Sequence, residues 1–474
     1  MKNAILITID ALRADHLSCL GYYRKTTPNL DLLAKNGVLF TNAISVGSET
    51  VTSVQSILAS NYPLEHFVMS GGIEKFYAAL QNSERAIPKS EKAIVLEIYR
   101  HGNRIAKVLE DYGYTTAAFH SNPLLSWYYN FGTEFDHFDD FITPNVARKY
   151  KIRKKLQKYG KLLNFIRYMY YKIHRTNEAF VGKRAETINK KVISWLKEWL
   201  KENKSNFFIW IHYMDVHDPY MPLKEFQSYF RSKPLNNSKI QNLVFKRGSN
   251  KLSKSDLEDL IDLYDAEIRY VDHAIKSLLD ELSEMGILDD TFVIITADHG
   301  EEFGEHGNFG HGYGKLYDEI IHVPLIICNS PYKNVKVDNP VSLVDIAPTI
   351  LDLLDIPAPR SFQGESLIPV IKGERTPLGA VSESLLKGTF VVAYRTREWK
   401  YIFYEGDNRR ELYNIESDAS EVKNLYGSES EKAREFELKI KEHILKNKTR
   451  IKGIVGEKEI IRGKIETLKR IGKI

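Results

Sequence analysis

The sequence predicts an α/β fold, with a mainly parallel sheet flanked by helices and a smaller C-terminal antiparallel sheet. Three observations carry that expectation. Short β-branched apolar runs alternate with longer amphipathic stretches, the pattern of strands joined by crossover helices. Several of those runs end directly on Asp or His, at the strand ends where open α/β sheets bind ligands. After about residue 375, short strand candidates follow one another closely with turn residues between them. The expected division is 1–375 for a large α/β domain and 376–474 for a small sheet-plus-helix subdomain.

Element by element, the run from Ala4 to Ile9 is a strand ending at Asp10. Thr27 and Pro28 serve as N-cap and first residue of a helix over NLDLLAK, which Gly37 closes. VLFTNA from Val38, YTTAAF from Tyr114 and NFFIWIHY from Asn206 are further strands. Ser255 and Glu258 form a capping box opening the longest helix, whose 3.6-residue apolar period runs to Leu282. TFVIITA from Thr291 leads into Asp298 and His299, and VPLIIC from Val323 is one more buried strand. AVSESLL, TFVVAYRT and KYIFYEG supply the C-terminal sheet, and EFELKIKEHIL begins a helical tail.

Composition narrows the function class. The chain has 474 residues, 43% hydrophobic and 27% charged, normal for a globular protein with a substantial core. Lys and Arg number 67 against 62 Asp and Glu, a net charge of +5 that gives no case for nucleic acid. Cys19 and Cys328 are the two cysteines, which argues against a disulfide framework and a cysteine zinc site. The N-terminal apolar run is short and reaches Asp10 at once, and no stretch approaches the roughly 20 apolar residues of a membrane span. A cytoplasmic location is expected. One segment is unusual: 148–175 holds eleven Lys or Arg and no Asp or Glu, interleaved with aromatic and aliphatic residues. It reads as a solvated insertion or as a basic patch for peripheral contact with an anionic membrane.

Chemistry concentrates at strand ends. Asp10 follows the first strand, His212, Asp215 and His217 sit at or beyond the end of the strand from Asn206, and Asp298 and His299 follow the strand from Thr291. Carboxylate and imidazole together suit a divalent ion. The eighteen residues from Asp298 to Lys315 contain three histidines, four carboxylates, a lysine and six glycines. A structural loop has no need of so many, and clustered titratable groups mark active sites.

The segments ITIDALRADHLSCLGY, TTPNLDLLAKNGVLFTNA, YDAEIRYVDHAIKSLLDEL, ITADHGEEFGEHG, LYDEIIHVPLII and ELYNIESDASEVKNL resemble sulfatases of the alkaline phosphatase superfamily, as does the ending IETLKRIGKI. The resemblance implies a sulfatase-like catalytic α/β domain over 1–375, a smaller C-terminal sheet subdomain and an active site at the strand ends. Counting back from SVQSILASNYP, it places the nucleophile at Thr50, which would lie at a helix N-terminus where partial positive charge favours an oxyanion. The rival local reading makes Thr50 or Ser48 the helix N-cap.

Departures from the family pattern refine the expectation. Thr50-Val51-Thr52-Ser53-Val54 replaces the Cys or Ser, X-Pro-X-Arg of formylglycine-using sulfatases, so the aldehyde hydrate is ruled out there. Ala11 stands where sulfatases carry a second Asp, and His299 where many carry Asn. The resulting Asp10, Thr50, Asp298, His299 set resembles superfamily members that act on phosphate esters, and implies one divalent ion, Mn, Mg, Ca or Zn. The second ion of the two-zinc phosphatases is kept as an alternative, but its site is not clearly present, because Asp215 has no His four residues on. His217 matches the family histidine on the ester oxygens, and His311 and Lys315 lie where the family supplies charge to the anion and help to the leaving group. His120 and Asn122 match more loosely.

The expected function is a metal-dependent hydrolase of sulfate or phosphate esters, acting on a small-molecule, glycan or lipid-linked substrate through a metal-activated Thr50 and a covalent enzyme ester. Two rivals stand beside it. One is a phosphotransferase acting on a lipid-linked or polyol head group at a membrane surface. The other is a catalytically silent binding protein on the same scaffold, against which the intact polar set argues.

Overall fold

The computed structural model describes residues 2–63, 65, 104–126, 131–141, 184–202, 205–248, 251–312, 314–386, 389–447 and 449–450. The basic segment 148–175 and the ending 465–474 lie outside the described residues.

The chain opens with β1 (Asn3–Ile9), α1 (Pro28–Asn36), β2 (Val38–Ile44), α2 (Thr50–Ala59), α3 (Ile105–Asp111), β3 (Thr115–His120) and β4 (His137–Asp139). It continues through α4 (Ala185–Glu202), β5 (Phe207–Tyr213), α5 (Asn237–Gly248), α6 (Lys254–Glu284) and β6 (Thr291–Ala297). After a small hairpin of β7 (Glu302–Phe303) and β8 (Phe309–Gly310) come β9 (His322–Cys328), β10 (Val335–Val337), β11 (Val341–Ser342) and α7 (Ile346–Leu353). A four-stranded sheet closes the fold, made of β12 (Ala380–Leu386), β13 (Thr389–Arg395), β14 (Trp399–Tyr404) and β15 (Arg409–Asn414).

Among the described residues the main sheet has nine strands in the order β10-β2-β9-β6-β1-β5-β3-β4, with β11 paired to β2. Every pairing is parallel except those of β9, which runs antiparallel to both β2 and β6. β1, β5 and β6 are buried along their whole length. Strands covered on both faces can be apolar at every position, which is why NAILITI, FFIWIHY and TFVIITA lack alternation. Two groups of helices cover the sheet: α6 packs with α1 and α4, and α2 packs with α3 and α7.

Two expectations are corrected. The longest helix is capped by Ser253 and Asp256 rather than Ser255 and Glu258: the Ser253 hydroxyl accepts from the Asp256 N–H, and the Asp256 carboxylate accepts from the Ser253 N–H. The shorter Asp side chain closes this box two residues earlier than the periodicity suggested. The C-terminal sheet also has a fourth strand, β15, whose charged RRELYN sequence hides its alternation. A helix over 430–447 follows it, as the tail predicted.

The C-terminal sheet is bolted to the main one. The Glu383 N–H donates to the Val46 carbonyl, and the Ser382 hydroxyl donates to the Ser45 carbonyl at 2.5 Å. Lys400, fully buried on β14, reaches Asp318 at 2.8 Å and Glu421 at 2.6 Å.

Candidate active site

Sheet register builds the centre. Ile9 of β1 lies opposite Ala297 of β6, so Asp10 and Asp298 leave adjacent parallel strands side by side. His120 lies opposite His212 on β3 and β5, and His212 opposite Thr8 on β1. Four strands therefore deliver polar side chains to one sheet edge.

Thr50 comes to the same point from α2. Glu49 is the N-cap and Thr50 the first helical residue, while the Ser48 hydroxyl bonds Ser384 at 2.8 Å. The Thr50 hydroxyl is thus free of capping duty and lies 3.4 Å from Asp10 Oδ2 and 3.3 Å from His299 Nε2. The loop before α2 is fixed to the other strand end: the Ser45 and Ser53 hydroxyls both donate to the Asp298 carbonyl, at 2.5 and 2.6 Å. Gly47 permits this close turn, since a Cβ there would stand 2.6 Å from Thr52 Oγ1.

Asp10 is fully buried. Its Oδ2 accepts from Asn122 Nδ2 at 3.0 Å and lies 3.3 Å from His212 Nε2, while Oδ1 has no hydrogen-bond partner among the described residues. Asp298 Oδ1 accepts from the N–H groups of Ala11 and His299, and its Oδ2 is likewise unpartnered. His299 points Nδ1 at the Gly300 carbonyl, 2.8 Å away, which turns Nε2 inward to 3.6 Å from Asp10 Oδ1 and 3.7 Å from Asp298 Oδ2. Two buried carboxylate oxygens without donors and one imidazole nitrogen, all within 4.8 Å of one another, have the composition and spacing of a divalent-cation site. The donor set fits the expected ion, with Thr50 Oγ1 at its edge.

Charges follow the geometry. Burial would raise the Asp10 carboxyl, but His217, with His212 and His299, holds it well below the usual carboxylate range. Burial and the neighbouring Asp10 raise Asp298 instead. His217 is pushed up to about 9, because Asp10, Asp218 and Glu301 outweigh its burial. His311 is lowered by burial and by His299. The His311 ring lies 4.2 Å from that of His299 and 5.0 Å from that of His217, so the three imidazoles form a row.

Four residues in this neighbourhood escaped the sequence reading. Glu301, fully buried, lies 3.4 Å from His311 Nδ1 and accepts from the Tyr220 hydroxyl. Arg247 of α5 bridges Glu301 at 3.0 Å and Asp218, beside His217, at 2.9 Å. Asp218 and Glu301 stood next to residues already singled out and Tyr220 three residues after His217, whereas nothing local marks Arg247.

Other candidates sit elsewhere. Lys315 pairs with buried Glu302 at 2.5 Å and also reaches the Gly310 carbonyl, next in the chain to Glu301 and His311 respectively. Glu302, His306 and Glu319 form a second acidic group, satisfied internally by Lys315, two backbone N–H groups and a 2.6 Å His306–Glu319 contact. Asp215 is taken by Arg184 and the Ala185 N–H. His120 accepts from the Asn122 N–H and so supports that residue rather than the centre directly.

Comparison with known proteins agrees with this architecture. A family model described as Sulfatase matches residues 2–356, and one described as N-sulphoglucosamine sulphohydrolase, C-terminal, matches 304–450. The chain is 32% identical to arylsulfatase K of Danio rerio over 208 residues, 42% of this chain and 39% of that protein's length. A solved structure of a protein in complex with its substrate D-glucosamine-2-N,6-O-disulfate superposes with a TM-score of 0.68 at 19% identity, covering 94% of this chain and 98% of that one. Phosphonate monoester hydrolase of Agrobacterium radiobacter gives 0.66 at 19% identity, covering 95% and 96%.

Proposed function

Because the chain belongs to the sulfatase family, we propose that it is a metal-dependent hydrolase of sulfate or phosphate esters with Thr50 as nucleophile. The observation that carries this reading is the Thr50 hydroxyl, buried at the first position of α2, 3.3 Å from His299 Nε2 and 3.4 Å from Asp10 Oδ2. Asp10, Thr50, Asp298 and His299 would hold the divalent ion, which when bound supplies Lewis-acid stabilisation of charge on the ester and lowers the hydroxyl's pKa. Thr50 Oγ, its proton given up to solvent, attacks sulfur or phosphorus in line. The ester oxygen leaves with its bonding pair, and the sulfuryl or phosphoryl group stays on Thr50. Imidazolium at His217 offers a positive charge to the ester oxygens and a proton to the leaving oxygen. His311, neutral near pH 7, is suited to take a proton from the water that resolves the Thr50 ester. Arg247 keeps Asp218 and Glu301 neutralised beside these two rings.

The threonine favours phosphoryl over sulfuryl substrates, since direct hydroxyl attack replaces an aldehyde hydrate. The test is a metal-supplemented screen of p-nitrophenyl sulfate, phosphate, phosphodiester and phosphonate monoester. Thr50→Ala should lower turnover at least about a thousandfold with the fold intact. Substantial residual turnover would sink the nucleophile assignment, and dominant sulfate cleavage would reverse the substrate preference.

A further inference from the structure

Away from the Asp10 centre, an open cleft of about 410 Å³ is lined by Arg24, Lys25, Pro28, Tyr229, Phe230 and Arg269. Three cations and two aromatic rings line it, with no carboxylate among the described residues of its lining. Arg24 is a fixed wall, bonded at 2.8 Å to both Asp262 and Asp265, with its guanidinium 5.8 Å from the Phe230 ring. Arg269 is placed differently. It donates to the Lys25 carbonyl at 3.1 Å and lies 4.5 Å from the Tyr229 ring, with no ion pair to a carboxylate among the described residues. Lys25 is exposed and also lacks such a pair there, and Tyr229 is 61% exposed.

We infer that this cleft is an accessory binding site for a sugar unit carrying an ester sulfate or phosphate. The inference rests on the reading of the chain as an ester hydrolase. A guanidinium already ordered by stacking presents a preformed fork to an oxyanion, and the Lys25 ammonium adds a mobile second charge. Tyr229 and Phe230 supply apolar faces for the ring that bears the ester. The wall is tied to the catalytic side of the fold: Asp265 also holds His16 at 2.7 Å, and its neighbour Tyr264 donates to the Ala11 carbonyl beside Asp10. A substrate with more than one esterified sugar would thus be gripped at a unit other than the one cleaved.

Equilibrium dialysis on the full chain carrying Thr50→Ala tests this. The probes are glucosamine-2-N,6-O-disulfate, glucosamine 6-phosphate and neutral N-acetylglucosamine. The expected result is two molecules of an esterified sugar bound per chain, falling to one when Arg269→Ala or Lys25→Ala is added, with affinity at the lost site weakened at least tenfold. The sulfate and phosphate arms tell which ester the cleft takes. A single bound sugar unaffected by either variant overturns the site, as does equal binding of N-acetylglucosamine. With Thr50 restored, Arg269→Ala should leave turnover of p-nitrophenyl esters unchanged, and a loss would refute an accessory role. Turnover surviving Thr50→Ala would instead undo the proposed mechanism while leaving the dialysis result standing.

Discussion

Asn122→Ala isolates the support of Asp10 from its chemistry. Asn122 is buried, donates from Nδ2 to Asp10 Oδ2 at 3.0 Å, and accepts the Leu124 N–H on Oδ1 at 2.9 Å. The remaining Oδ2 neighbours, His212 and Thr50, stand farther off at 3.3 and 3.4 Å. Truncation therefore removes the shortest hydrogen bond to a buried carboxylate, and a bond to a charged group contributes about 1.5–3 kcal/mol. Acting on a metal ligand, that loss corresponds to roughly 10–100-fold weaker metal affinity, the range found for partners that orient ligands. Losing the Leu124 cap costs about 1 kcal/mol more, which lowers Tm without touching the ion. Competition against a fluorescent chelator reads the metal affinity, and thermal melts of the metal-free chain read the summed loss of both hydrogen bonds. Metal affinity within twofold of wild type, in a folded variant, would refute the claim that Asn122 orients Asp10.

Four further predictions come from other parts of the structure. In the metal-free chain His217, raised to about 9 from the ordinary 6.5 chiefly by Asp10, should titrate near 9 in an NMR pH series, and Asp10→Asn should bring it down. The same shift means that the imidazolium stabilises the fold fully below about pH 6.5 and loses that contribution as pH climbs to 9, so a denaturation series across this window must slope downward. Lys400→Met leaves buried Glu421 without its cation, while Asp318 keeps Arg395 at 3.0 Å, and should cost about 3–5 kcal/mol in urea unfolding, a change below 1 kcal/mol disproving the buried Lys400–Glu421 pair. Deleting 148–175 should abolish binding to anionic vesicles at low salt and spare turnover of a small soluble ester; no vesicle binding by the intact chain ends the membrane proposal.

Much of this architecture was legible before any coordinates. NAILITI and TFVIITA announce doubly covered strands, and placing Asp10 and Asp298 just past them sends both carboxylates to one sheet edge once the strands pair in parallel. Thr50 was legible only through the family resemblance, because locally it looks like a cap. The structure assigns the cap position to Glu49 and leaves the Thr50 hydroxyl to face the centre.

What sequence could not decide is partnership across distance. Lys315 follows His311 by four residues, yet its ammonium bonds Glu302, because the β7–β8 hairpin folds that carboxylate back against it. Arg247 sits on a helix with no motif, and only packing brings it between Asp218 and Glu301. Periodicity and strand-end position are local properties, so the chain alone determined the sheet, its helices and the edge where chemistry gathers. Which buried oxygens keep their donors and which are left unpartnered depends on contacts between residues 288 positions apart, as with Asp10 and Asp298, and only the tertiary structure decides it.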